Sequence, residues 1–201
     1  ANKAPGGFGW GSSVGQAVLD ANEAILGGFY YWGPNAKNTP FRYGAMVVIP
    51  RSSSTGKPNI TQIASQDTGD ITPHAFIAVR KSTDSGDGKW GPWEWINPPM
   101  ELGIEYRTTE RYLGKPVYVK MVDFGALPNA SYKFVGIENG ASIIRVSALA
   151  SNGKTLPGSI GASQREQVLC MGSSNSVEII TYADASSLTA TVTAWYTKTA
   201  D

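Results

Sequence analysis

From Phe29 onward the chain is cut into short strand-like runs, each closed by Gly, Pro or Asn, and this punctuation limits the fold more than any other feature. Phe29–Trp32 ends at Gly33-Pro34-Asn35, Ala45–Ile49 at Pro50, and Trp90–Ile96 at Asn97-Pro98-Pro99. Asn59–Ser65 alternates polar with apolar residues, as a half-buried strand does, and His74–Arg80 follows it. In the second half, strands are predicted at Val117–Phe124, Tyr132–Ile137, Ile143–Ala148, Val177–Tyr182 and Leu188–Tyr196. The last alternates strictly, with Thr189, Thr191 and Thr193 against Ala190, Val192 and Ala194, so one sheet face is wet and the other apolar. Helix formers and apolar residues at Val18, Leu19, Ile25 and Leu26 predict a single helix over Gln16–Leu26, stopped by Gly27-Gly28. No repeat suggests a propeller or solenoid.

The expected architecture is mainly β. A small domain with one short helix and antiparallel strands spans 1–100. A junction follows at 101–115, and a β-sandwich or jelly-roll-like domain at 116–201. Pro98-Pro99 marks the boundary, because a proline pair neither donates ladder hydrogen bonds nor continues a helix.

Charge and residue counts narrow the chemistry. Seventeen basic and sixteen acidic side chains leave a net +1, which provides no basic footprint for nucleic acid. One Cys and one His exclude an internal disulfide and leave no basis for a zinc site. No apolar run approaches a membrane span. The opening Ala1–Gly6 is polar and Gly-rich, unlike a signal peptide, and reads as the continuation of something longer.

No nucleophile elbow or phosphate-binding glycine loop occurs, and Gly172-Ser173-Ser174-Asn175 does not stand in for one. His74 reads as a strand-entry residue, and Cys170, within Val168–Met171, as a small buried hydrophobe. Asp67–Asp70 and Asp84–Gly88 read as turns that lack the spacing of a calcium loop. Glycoside cleavage would draw on Glu94, Glu101, Glu105 and Glu110, the clustered carboxylates. On a strand, Glu94 points away from Trp93 and Trp95, and its simpler reading is a solvated or ion-paired group. The expectation is therefore no catalysis, no cofactor and no metal.

The aromatics are the distinctive content. Flat rings pack against the C–H faces of sugars, while Asn, Asp and Arg bind the hydroxyls. Tyr30, Tyr31, Trp32, Trp90 and Trp93, with Asn152, Asn175 and Tyr182, are the expected glycan-binding residues. The competing reading is that most of the rings are core.

Several segments together resemble bacteriophage tail fibres. Ala4–Gly11, Leu19–Asn22 and Gly28–Trp32 are similar to the knob domain shared by tail fibres and pyocins, and Gln62, Arg80 and Trp90-Gly91-Pro92-Trp93 fit its end. Glu94–Met100, Glu105–Tyr112 and Gly114–Tyr118 resemble a junction recurrent in phage tail proteins, and Val192–Asp201 resembles a fibre C-terminus. The resemblance implies a receptor-binding fibre tip in the virion tail, made in the bacterial cytoplasm. It also implies a homotrimer joined to upstream fibre or tail proteins, with a bacterial surface polysaccharide or lipopolysaccharide as receptor. Thr108–Arg111 is the expected inter-chain contact, and the Gly-, Ser- and Asn-rich residues 140–185 sit where tip loops vary. The alternatives are a surface-polysaccharide depolymerase or esterase, and a structural trimerisation module of the fibre.

Overall fold

In a computed structural model the chain divides into two compact units, Ala1–Pro99 and Met100–Asp201. Residues 15–51, 59–67, 76–82, 89–137, 140–161 and 166–199 are described. The Ala4–Gly11 motif, His74, the Thr68–Asp70 part of one turn and the Asp84–Gly88 turn lie outside them. The chain is mainly β, with antiparallel sheets, as its sequence predicts.

In the first unit β1 (Gln16–Ala17), β2 (Gly28–Trp32), β3 (Gly44–Arg51), β4 (Asn59–Gln66), β5 (Ile77–Lys81) and β6 (Glu94–Trp95) pair in chain order. All pairs are antiparallel except β1 with β2. Register sets the faces. Tyr30, Trp32, Met46, Val48, Ile60, Ala64 and Ala78 point into a core closed by Ala21, Ala24 and Phe41. Trp90, Trp93 and Trp95 pack against it, and Trp95 meets Phe41 edge to face at 5.2 Å. Glu94, one residue earlier in β6, takes the other face, opposite Val79.

The predicted helix over Gln16–Leu26 is a correction. Only one 3₁₀ turn forms, Ala21–Glu23, because other partners take the backbone groups a helix would use. Gln16 and Ala17 pair with Tyr30 and Tyr31. The Asp20 side chain accepts from Asn22 N–H at 2.8 Å, and Lys37 exchanges backbone bonds with Leu19 and Ala21. Gln62 Nε2 then donates to the carbonyls of both Ala21 (2.7 Å) and Ala24 (2.9 Å). Leu19, Ile25 and Leu26 stay exposed, so the segment buries no apolar stripe that would hold a helix together.

In the second unit, one sheet runs β7 (Glu105–Tyr112), β8 (Lys115–Ala126), β15 (Thr189–Lys198), β10 (Gly140–Ala150) and β11 (Thr155–Leu156). The other runs β12 (Gly158–Ser159), β13 (Gln167–Gly172), β14 (Ser176–Thr181) and β9 (Tyr132–Gly136). Both are antiparallel, and their inner faces share one core. Phe124, Ala148, Ala190, Val192, Ala194 and Tyr196 come from the first sheet, and Val168, Cys170, Val177 and Ile179 from the second. The strict alternation in β15 is realised, with Ala190, Val192 and Ala194 buried and the threonines on the opposite face. β7 and β8 join through Leu113-Gly114, both at positive φ (49° and 80°), the left-handed pair that a two-residue hairpin turn requires.

Candidate functional site

The second unit presents an aromatic surface on the outer face of β13, β14 and β9. Register pairs Phe134 with Glu178 and Tyr132 with Ile180, while Glu178 meets Met171 and Ile180 meets Leu169 on β13. The intervening residues Val168, Cys170, Val177 and Ile179 are buried, so these partners stand on the opposite, outer face. Tyr132 and Phe134 are 65% and 50% exposed, and their rings meet edge to face at 5.6 Å. Between them Lys133 turns inward, and its Nζ donates to the carbonyls of Phe124 (2.8 Å) and Ala126 (3.1 Å). That anchor holds the edge strand, so both rings are carried on fixed backbone.

Tyr182 follows β14 on the same face. The buried Thr181 points inward, its hydroxyl donating to Pro128 O at 2.9 Å, which turns Tyr182 outward at 59% exposure. Thr181 N–H bonds to Ser131 O and Ala130 N–H to Ala183 O, so Tyr182 lies beside the start of β9. Three exposed rings, two of them phenols, thus share one rigid face with the Glu178 carboxylate. Rings of this kind stack on sugar faces, and a carboxylate accepts from sugar hydroxyls.

The other expected residues are scattered. Asn175 sits in the turn between β13 and β14, its carbonyl taking Ile137 N–H at 2.7 Å. Asn152 sits in the turn between β10 and β11, its side chain bonded to Ile160 O (3.1 Å) and Lys154 N–H (3.2 Å). In the first unit Tyr30 and Trp32 are core residues, their polar ends donating to Leu26 O (2.8 Å) and Phe41 O (3.0 Å). Tyr31 faces outward and, with Phe29, Val47, Ile63 and Ile77, lines an apolar hollow of about 350 Å³.

Trp90 and Trp93 both lie against Arg80, whose Cζ is 4.4 Å and 4.5 Å from the two ring centres. Trp93 Nε1 donates to Asn38 O at 2.9 Å, and Arg80 Nε donates to Gln62 Oε1 at 2.8 Å. Burial pushes the guanidinium down to about 10, and the Asp20 charge opposes that shift. It remains cationic at neutral pH.

Three of the four clustered glutamates have separate roles. Glu105 accepts from the Tyr196 hydroxyl and Lys198 Nζ. Glu110 pairs with Arg145 at 3.5 Å on the surface, and Glu94 lies on the outer side of β6. Among the described residues no group of three His, Cys, Asp or Glu could hold a metal ion. Tyr132 and Phe134 are the site residues that sequence reasoning missed. Their signal was two aromatics at period two flanking a lysine, in a run already read as a strand.

These features define a two-unit, mainly β protein with an exposed aromatic sheet face. No protein-family model matches the chain, and no curated protein matches it. Among solved structures it is similar to an N-truncated R2-type pyocin tail fibre, at 12% identity and a TM-score of 0.31, over 94% of this chain and 99% of that one. It is also similar to the C-terminal part of the P. aeruginosa R2 pyocin fibre, at 10% identity and a TM-score of 0.32, over 95% of this chain and 68% of that one. Both likenesses span nearly the whole chain at TM-scores too low to define a shared fold.

Proposed function

We propose that the chain is the distal, receptor-binding part of a tail fibre in the virion tail of a phage, or in a phage-derived particle. It attaches that particle to a bacterial surface polysaccharide or lipopolysaccharide, without catalysis. The observation that carries the binding part of this reading is the exposed face of Tyr132, Phe134 and Tyr182 around Glu178. The fibre part is supported by the tail-fibre-like motifs in the sequence, above all the junction over Glu94–Tyr118. The working form is a homotrimer joined to upstream fibre or tail proteins. Three shallow sites on one trimer, and several fibres on one particle, raise avidity by orders of magnitude without any deep pocket. Sheet edges also gain from pairing across subunits rather than facing water.

The test is binding of the fluorescently labelled chain to a panel of bacterial strains, with periodate-treated cells beside untreated ones. Strain-selective binding abolished by periodate is the expected result. Binding that survives periodate replaces the glycan with a protein receptor. A folded chain that binds no strain overturns the receptor-binding reading in favour of a structural fibre module.

A further inference from the structure

Among its described residues the first unit buries four polar atoms without a hydrogen-bond partner: the acceptors Asn22 Oδ1 and Gln66 Oε1, and two donors that lie on side chains in contact, Arg80 Nη2 and Trp90 Nε1. Arg80 is only 6% exposed. Its Nε is used by Gln62, yet its Nη2 is buried and finds no hydrogen-bond partner among the described residues. Trp90 Nε1 is likewise buried and unpartnered, on the ring 4.4 Å from the Arg80 Cζ. The nearby carboxylate whose charge Arg80 feels, Asp20, is already engaged by Asn22 N–H and by Asn38 Nδ2, each at 2.8 Å. Buried donors are almost always paired, and an unpaired one costs its full desolvation. Here a guanidinium N–H and an indole N–H belong to side chains in contact, and both are short of an oxygen. At this contact the deficit is of two donors, one of them cationic. An incoming anion with two oxygens matches it, as guanidinium–carboxylate pairing does elsewhere. Trp90 and Trp93 are only partly buried, so the donors lie beneath rings that reach the surface.

We propose that Arg80 Nη2 and Trp90 Nε1 form a subsite for a carboxylate from outside the chain, such as the one an acidic sugar carries. The sugar as source rests on the glycan-binding reading; the carboxylate does not. The subsite is also separate from the aromatic sheet face, so failure of either leaves the other standing.

The experiment is calorimetric titration of the whole chain with glucuronate, acetate, glucose and sodium chloride, alongside thermal unfolding with each. Saturable glucuronate binding with a raised Tm is expected, and glucose and chloride at matched concentration give neither. Trp90→Phe keeps the ring and removes the donor, so it weakens glucuronate binding at least about tenfold. Its Tm without ligand equals or exceeds that of the wild type, because an unpaired N–H has gone. Trp93→Phe, whose N–H already has Asn38 O, retains binding. Acetate binding as tight as glucuronate supports the subsite and assigns it to free carboxylates. A glucuronate response no larger than that to chloride overturns the proposal, as does an unchanged affinity in Trp90→Phe.

Discussion

Tyr196 donates its hydroxyl to the carboxylate of Glu105, joining the last strand of the second unit to its first. Lys198 Nζ shares that carboxylate and lies 4.1 Å from the centre of the Tyr118 ring, which stacks on Tyr196 at 6.1 Å. β7 and β15 are not neighbours in the sheet, so this cluster ties them across β8. Glu105→Leu leaves a phenol and an ammonium without their acceptor in a partly buried place. The expected loss is about 1–3 kcal/mol in urea unfolding.

The same phenol sets an alkaline limit. Burial, then the Glu105 hydrogen bond and charge, raise Tyr196 far above its ordinary 10.0. The folded state therefore keeps a proton that the unfolded state releases, and stability falls as pH rises past about 10. Cys170 acts earlier, because burial lifts its thiol from 9.0 to about 11 and stability begins to fall above pH 9. Tm measured from pH 8 to 11 should decline, and Cys170→Ala should flatten the part between 9 and 11.

Gln62 is fully buried and serves three partners, Ala21 O, Ala24 O and Arg80 Nε. Gln62→Leu keeps the volume and strands all three. A cost of about 3 kcal/mol or more is expected in denaturant unfolding, because several buried polar groups lose their partners together.

Two glycines in the first unit make a matched pair. A Cβ on Gly44 would stand 2.4 Å from Trp32 Cζ2 and 2.7 Å from Ser65 O, whereas one on Gly33 meets nothing within 4 Å. Gly44→Ala should cost about 1–3 kcal/mol, while Gly33→Ala stays within about 0.5 kcal/mol of wild type.

On the aromatic face, Tyr132→Ser, Phe134→Ser and Tyr182→Ser each remove an exposed ring and leave the core untouched. Each should reduce binding to susceptible cells about tenfold while Tm moves little. Loss of binding without loss of fold separates a recognition surface from a structural one.

What the sequence revealed depended on whether the cause was local. β15 could be read because its alternation of Thr with Ala and Val is written into consecutive residues. The Gln16–Leu26 segment has helix formers too, but its carbonyls are claimed by Gln62, some forty positions away, and its start by Tyr30 and Tyr31. Local propensity lost to those tertiary bonds. Among the ring clusters, Tyr30, Tyr31 and Trp32 alternate between core and surface purely by strand parity. Tyr182 joins Tyr132 and Phe134 only through the register of β9 with β14, which no local pattern states.

Cys170 is the chain's sole thiol, and it lies in the core between the sheets of the second unit. Its raised pKa and burial both keep it from reacting while that core is closed. A thiol reagent therefore counts only the openings of the second unit and is blind to the first. The protein carries its own clock for the breathing of one half, without any label being added.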